Sequence, residues 1–242
     1  MTARTDAPQA RTALACRAAL WALVVLSLPG LALAHGIGGK DAAFVASSHG
    51  PQIIPFLYLG AKHMVTGYDH LLFILGVIFF LYRLSHVALY VTMFSIGHSI
   101  TLLAGVLTGV QVNPYLIDAI IGLSVAYKAF DNLGGFQTLL GVQPDTRLAV
   151  LVFGLFHGFG LATKLQTLHP SKDGLVTNMI SFNVGVELGQ LIALSIMLGV
   201  ILWWRKSSSF ARHAVLANAL ILCAGFVLMD YQLAGFFTHR AA

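Results

Sequence analysis

Charged residues and cysteines are scarce in this 242-residue chain. Only 10% of its residues are charged, whereas 57% are hydrophobic. This composition excludes an ordinary soluble domain and is typical of a polytopic membrane protein. The net charge is +5, but the basic residues are scattered and form no stripe, so nucleic acid is not an expected partner. Only two cysteines are present, and one lies in the predicted leader, so the mature chain has no pair for a disulfide.

The first 34 residues predict a cleavable signal peptide. Three arginines precede the apolar run 18–28, and the small-residue sequence Ala32-Leu33-Ala34 follows it. A positive region, an apolar run and an A-x-A site are the three parts of a secretory leader. Residues 35–242 then form a single transmembrane domain. After cleavage, the new α-amine and the imidazole of His35 are a candidate chelate for Cu or Ni. The alternative to a cleaved signal peptide is a first helix that stays in the membrane.

Six further segments are long and apolar enough to cross a bilayer, since about 20 helical residues span the hydrocarbon. Because the backbone must satisfy its own hydrogen bonds in lipid, we expect an all-α bundle of six transmembrane helices. The protein is predicted to lie in the bacterial inner membrane, with both termini of the mature chain in the periplasm. Basic residues then concentrate modestly on the cytoplasmic side, as the positive-inside rule expects. The predicted spans are 54–82, 86–109, 114–132, 148–168, 175–204 and 213–233.

Ionisable or strongly polar side chains lie near the middles of four predicted spans. Such groups are costly in hydrocarbon and persist where they face the bundle interior and find a partner. His63 and His70 are seven residues apart and share one helix face, while Asp69 can bind a cation or orient an imidazole. A single intramembrane histidine is often only a hydrogen-bond donor between helices. The predicted metal ligands are His63, Asp69, His70, His98, His157 and Glu187, supported by hydrogen bonds from Asn183 and Gln190.

Imidazole and carboxylate together are the ligand set of borderline divalent metals. A neutral imidazole also suits the membrane, because it supplies a ligating nitrogen without a permanent charge. Discontinuous helices often frame sites near the bilayer midplane, and Gly67, Gly97, Gly158 and Gly185 are placed to allow them. Asp118, near the outer end of the third span, is expected to reach water.

Four motifs contain these residues: GAKHMVTGYDHLLF at 60–73, FSIGHSITL at 94–102, FGLFHGFG at 153–160 and FNVGVELGQ at 182–190. Together they resemble the HupE/UreJ family of hydrogenase and urease accessory membrane proteins. The resemblance implies nickel permeation. It also implies that His63, Asp69, His70 and His157 handle the metal.

The sequence therefore predicts a membrane permease or a metal-handling accessory protein for a divalent transition metal. Ni²⁺ is favoured, with Zn²⁺, Co²⁺ or Cu²⁺ as alternatives, and a metallochaperone or a metalloenzyme is the expected protein partner. Two other functions stay open. One is an intramembrane hydrolase in which histidines hold Zn²⁺ and a carboxylate activates the bound water. The other is a non-transporting accessory subunit of a metalloenzyme.

Overall fold

All regular structure in the described part of the chain is helical. The computed structural model describes residues 38–240, with side chains through Thr238; the predicted signal peptide and His35 lie outside the described residues. The helices are α1 Gly39–Ser47, α2 Ile53–Thr66, α3 Tyr68–Ile78, α4 Leu84–Thr108, α5 Pro114–Asn132, α6 Gly135–Leu140, α7 Thr146–Thr167, α8 Leu175–Arg205 and α9 Ser208–Arg240.

Four of the six predicted segments form helices that are long and apolar enough to cross a membrane. Large apolar side chains such as Ile180, Val184 and Leu188 on α8 face outward, as they do in lipid-exposed helices. The protein is therefore a multi-pass membrane protein. The four helices span Leu84–Thr108, Thr146–Thr167, Leu175–Arg205 and Ser208–Thr238.

The first predicted span is divided into two helices at Gly67. Gly67 leaves the helical conformation, with φ −75° and ψ 99°, and its N–H still bonds to the carbonyl of His63 at 2.9 Å. The expectation of discontinuous helices is met at this glycine. Gly97, Gly158 and Gly185, in contrast, lie inside continuous helices, where each contacts the backbone of a neighbouring helix.

Three helix pairs pack closely through glycines, and these pairs set the register of the bundle. In the α4–α7 pair, Gly154 contacts Phe94 and Gly158 contacts the His98 carbonyl, so the two helices run parallel. In the α2–α8 pair, Gly60 contacts the Phe182 carbonyl. Small residues at such interfaces let helix backbones approach each other closely. The α2–α8 pair is likewise parallel, and the third pair, α5–α9, is antiparallel.

Arg205, the last residue of α8, holds one end of the bundle together. Its guanidinium donates hydrogen bonds to the carbonyls of Ile78 at 3.0 Å, Phe79 at 2.6 Å and Leu81 at 2.7 Å, at and just after the end of α3. It also lies 4.3 Å from the ring centre of Tyr82. We call this end, with the connecting segments 79–83, 133–145 (which contains α6) and 206–207, the Arg205 end.

Candidate metal centre

Four imidazoles from four different helices meet in the bundle interior. The ring centre of His70 on α3 lies 5.2 Å from that of His63 on α2, 6.1 Å from that of His98 on α4 and 4.8 Å from that of His157 on α7. None of the four residues is more than 6% exposed. We call these residues the imidazole cluster. The structure thus brings together four of the predicted site residues.

Asp69 orients the His70 ring at the start of α3. The Asp69 Oδ1 atom accepts hydrogen bonds from the His70 backbone N–H at 2.9 Å and from Nδ1 of the ring at 3.0 Å. Because a carboxylate only accepts, Nδ1 carries the proton, and the neutral ring has its lone pair on Nε2. A carboxylate behind a histidine in this way fixes the tautomer of many metal-ligating imidazoles.

Gly67 leaves room for this arrangement. A Cβ atom at position 67 would lie 2.9 Å from Nδ1 of His70 and 3.3 Å from Oδ1 of Asp69. These separations are shorter than ordinary contacts of a methyl group, so a side chain here would displace the hydrogen-bonded pair of Asp69 and His70. The requirement for glycine comes from close approach, since the φ angle of Gly67 is one that any residue adopts.

A backbone carbonyl orients His157. Its Nδ1 atom lies 2.8 Å from the carbonyl oxygen of Phe153, one turn earlier on α7. The carbonyl can only accept, so Nδ1 is the donor and the lone pair of the neutral ring is on Nε2. The contact of Gly158 with the His98 carbonyl fixes α7 against α4 at the same level. His70 and His157 are therefore adjacent rings with the same tautomer.

Phenylalanine rings surround the cluster. Phe94 lies 4.9 Å from His157 and 6.2 Å from His70, measured between ring centres. Phe73 lies 5.6 Å from His157, and Phe182 lies 6.0 Å from His63. These aromatic residues were not among the predicted site residues; Phe73 and Phe94 each lie within about one turn of a histidine in their motifs, whereas the motif of Phe182 contains none. The aromatic rings exclude water from the sides of the cluster.

The polar residues of α8 meet α4 beside the cluster. Gln190 is fully buried; its Oε1 accepts a hydrogen bond from Ser95 at 3.1 Å, and its Nε2 donates to the Val91 carbonyl at 3.3 Å. The half-buried carboxylate of Glu187 also interacts with Ser95. Ser95 lies one turn from His98, so Glu187 and Gln190 adjoin the imidazole cluster on its Arg205 side. Ser95 itself was not predicted.

Asp118 differs from the sequence expectation. It was expected to reach water, but it is only 8% exposed and its Oδ2 accepts a hydrogen bond from Lys164 Nζ at 2.6 Å. The expectation was wrong because α5 packs against α7, which covers the carboxylate with a basic residue that lies 46 positions later. This pair links two helices on the side of α7 away from the Arg205 end.

The spacing of the imidazoles is of the size that a shared ion requires. Metal–nitrogen bonds of about 2.0–2.1 Å place the centres of two ligating rings roughly 5 Å apart. Within residues 38–240, however, no three His, Cys, Asp or Glu side chains form a complete ligand set. Holding an ion would therefore require the rings to rotate within the cluster.

Comparison with known protein families identifies the family of the chain. A family model described as HupE / UreJ protein matches residues 39–240. The chain belongs to the HupE/UreJ family. Membership in this family indicates a role in metal handling, as an accessory protein or as a permease. Neither a curated protein nor a solved structure gives a significant match to the chain.

Proposed function

We propose that this HupE/UreJ protein is an inner-membrane permease for a divalent transition metal, with Ni²⁺ as the favoured cargo. The observation that carries the proposal is the convergence of three buried imidazoles on that of His70, with Asp69 hydrogen-bonded to the His70 ring. Imidazole nitrogen with one carboxylate suits Ni²⁺ and its neighbours in the first transition row. The choice of Ni²⁺ rests on the family.

In this proposal the ligands act in sequence along the bundle. His63 receives the ion, and His70 with Asp69 forms the central site. His98, His157 and Glu187 complete the coordination or pass the ion on. Gln190 supports these groups and already accepts the hydrogen bond from Ser95, whereas Asn183, which was predicted to give similar support, makes no side-chain hydrogen bond within residues 38–240. Neutral imidazoles at these buried positions would replace the water of the ion without adding fixed positive charge.

Six membrane crossings give the ion a route. We take α2 and α3 together as the first crossing, interrupted at the metal centre, and the 19-residue α5 as the third. The glycine contacts support this reading, because α2 runs parallel to α8 and α5 runs antiparallel to α9. Basic residues at the Arg205 end support its assignment to the cytoplasmic side. A leader that is cleaved would leave both termini in the periplasm.

A small apolar cavity lies between the phenylalanine rings beside the cluster and the Arg205 end. Phe73, Val77, Val91 and Gln190 are among its lining residues. In this proposal the cavity would lie on the cytoplasmic side of His70, in the direction in which the ion would leave. The chain has no ATP-binding motif, so the membrane potential or trapping by a cytoplasmic metallochaperone would drive transport.

Nickel uptake tests the proposal. Cells expressing the wild type are expected to accumulate Ni²⁺ above cells with the empty vector, and His70→Ala is expected to remove that increase. His86→Ala is the matched control, because His86 is exposed on α4 and lies outside the cluster. Competition by Zn²⁺, Co²⁺ and Cu²⁺ identifies the preferred cargo.

Equal uptake by the wild type and His70→Ala would contradict the permease. If the activity of a partner metalloenzyme were nevertheless lost on deletion, the protein would be a non-transporting accessory subunit. Both proteins must be present in the membrane at equal levels for this comparison, which immunoblotting of membrane fractions checks.

A further inference from the structure

Three asparagines are buried in the described bundle, and one of them differs from the other two. Asn178 accepts a hydrogen bond from the Gln52 backbone at 2.6 Å and donates to the Gly50 carbonyl at 3.0 Å. Asn218 accepts from Asn132 and donates to its own helix. For Asn183, neither Oδ1 nor Nδ2 has a hydrogen-bond partner among residues 38–240.

Asn183 is only 7% exposed, so water outside the bundle does not satisfy its amide. Buried polar groups almost always have partners, because leaving one unpaired forfeits its hydration without compensation. Asn178 and Asn218 follow this rule by tying helices or loops together. Asn183 makes no such link, and its amide is therefore available to a molecule or ion inside the bundle.

The helical phase places Asn183 on the interior face of α8. It precedes Gln190 by seven residues, which is close to two full turns, so the two side chains share one face. Gln190 faces α4, as its bonds to Ser95 and the Val91 carbonyl prove. Asn183 therefore faces the same interior, about 10 Å nearer the opposite end of the bundle.

The imidazole cluster lies between these two amides. α8 runs parallel to α2 and then reaches α3 at the Arg205 end, so it is antiparallel to α4. His98, which follows Ser95 by three residues on α4, is thus displaced from Gln190 toward Asn183. The ring of Phe182, the neighbour of Asn183, lies 6.0 Å from His63. Asn183 borders the cluster on the side where His63 would receive the ion.

We propose that Asn183 is a specificity-determining residue whose Oδ1 binds the divalent cation directly at the imidazole cluster. This inference rests on the proposed metal-handling function. An amide oxygen adds a neutral donor to the imidazole nitrogens and raises the number of ligands above four. Protein zinc sites are mostly four-coordinate, whereas Ni²⁺ accepts larger tetragonal sets of nitrogen and oxygen. Asn183 would therefore favour Ni²⁺ over Zn²⁺.

Metal binding to the purified full-length protein tests this inference. Calorimetric titrations with Ni²⁺ alone and with Zn²⁺ alone would compare the wild type with Asn183→Ala. The variant is expected to lose at least about tenfold in Ni²⁺ affinity, because loss of a group that only supports a ligand already costs about 10- to 100-fold. The loss for Zn²⁺ is expected to be smaller, so the preference between the two ions changes.

Asn178→Ala is the matched control on the same helix. Because Asn178 joins α8 to the 50–52 loop, its loss is expected to lower the thermal midpoint and to leave both metal affinities unchanged. Asn183→Asp provides a second variant that retains an oxygen donor, and it is expected to recover Ni²⁺ binding. Size-exclusion chromatography establishes that each variant is folded before titration.

An unchanged Ni²⁺ affinity in Asn183→Ala would overturn the inference and leave Asn183 as the partner of a structural water. Equal losses for Ni²⁺ and Zn²⁺ would overturn the role in specificity. A wild type that binds neither ion in the purified state would also overturn it. The permease is judged separately by cellular uptake in the His70→Ala comparison, so failure of one proposal does not decide the other.

Discussion

The imidazoles of His70 and His157 lie with their ring centres 4.8 Å apart and their planes inclined by 71°. They come from different helices, and each ring is oriented through Nδ1, His70 by Asp69 and His157 by the carbonyl of Phe153. A pair of histidines with fixed tautomers and lone pairs on Nε2 is pre-organised for a metal ion. The first two predictions depend on this pair.

Asp69→Asn is expected to weaken Ni²⁺ binding while the protein stays folded. Asparagine has the same shape but lacks the charge that stabilises the oriented His70 ring. Loss of such a supporting carboxylate typically costs about 10- to 100-fold in metal affinity. Titration of the purified protein measures this change. Asp41→Asn is the control, since Asp41 pairs with Lys62 near the surface, and a similar loss there would contradict the assignment.

Gly67→Ala is expected to reduce nickel uptake by the proposed permease severalfold. The new methyl group would lie 2.9 Å from Nδ1 of His70 and would displace the ring from Asp69. Gly199→Ala is a matched substitution within a helix, because a Cβ atom at position 199 meets no heavy atom within 4 Å. Full uptake by both variants would show that the position of the His70 ring does not matter.

The ion pair between Asp118 on α5 and Lys164 on α7 is expected to contribute strongly to the stability of the bundle. The two side chains are 9% and 19% exposed and are joined at 2.6 Å. Removal of one partner leaves an uncompensated buried charge, which typically costs about 3–5 kcal/mol. Asp118→Asn and Lys164→Gln are each expected to lower the thermal midpoint in detergent. The double variant is expected to recover part of the loss, and additive losses would argue against a direct pair.

Arg205→Ala is expected to destabilise the Arg205 end. It removes three charge-assisted hydrogen bonds to carbonyls at the end of α3, and we expect a loss of about 2–4 kcal/mol from the stability. The thermal midpoint measures the effect. Lys206→Ala is the control, because Lys206 is the next residue and is exposed. An equal thermal midpoint for the wild type and Arg205→Ala would show that the hydrogen bonds of Arg205 do not stabilise this end of the bundle.

Helix positions follow closely from the sequence. The predicted spans 86–109, 114–132, 148–168 and 175–204 each lie within two residues of an observed helix at both ends. Long apolar runs determine these limits, because a helix is the economical way to satisfy the backbone in lipid. The last helix is longer than the predicted span 213–233, since α9 begins at Ser208 and ends at Arg240. Hydropathy detects only the apolar middle of such a helix, so the polar turns at its two ends were not included in the predicted span.

The residue types of the candidate site also follow from the sequence, but the sequence does not show which of these residues come together. Histidines and acids within apolar spans had to face the interior, and His63, His70, His98 and His157 do so. Helical periodicity indicates the face on which each residue lies, but not which residues of different helices contact each other. Asp118 illustrates the limit, because its partner Lys164 lies on another helix and no local pattern indicates the contact.

The amino-acid sequence by itself determined the membrane setting, the helical content and the set of polar residues kept inside. Each of these depends on transfer free energy or on periodicity, which act over a few neighbouring residues. Only the tertiary structure decided that His70 is the centre of the cluster, that Asp69 and Phe153 orient two rings, and that Asn183 differs from Asn178. These relations depend on how closely glycines let separate helices approach, and that distance is a property of the packed bundle.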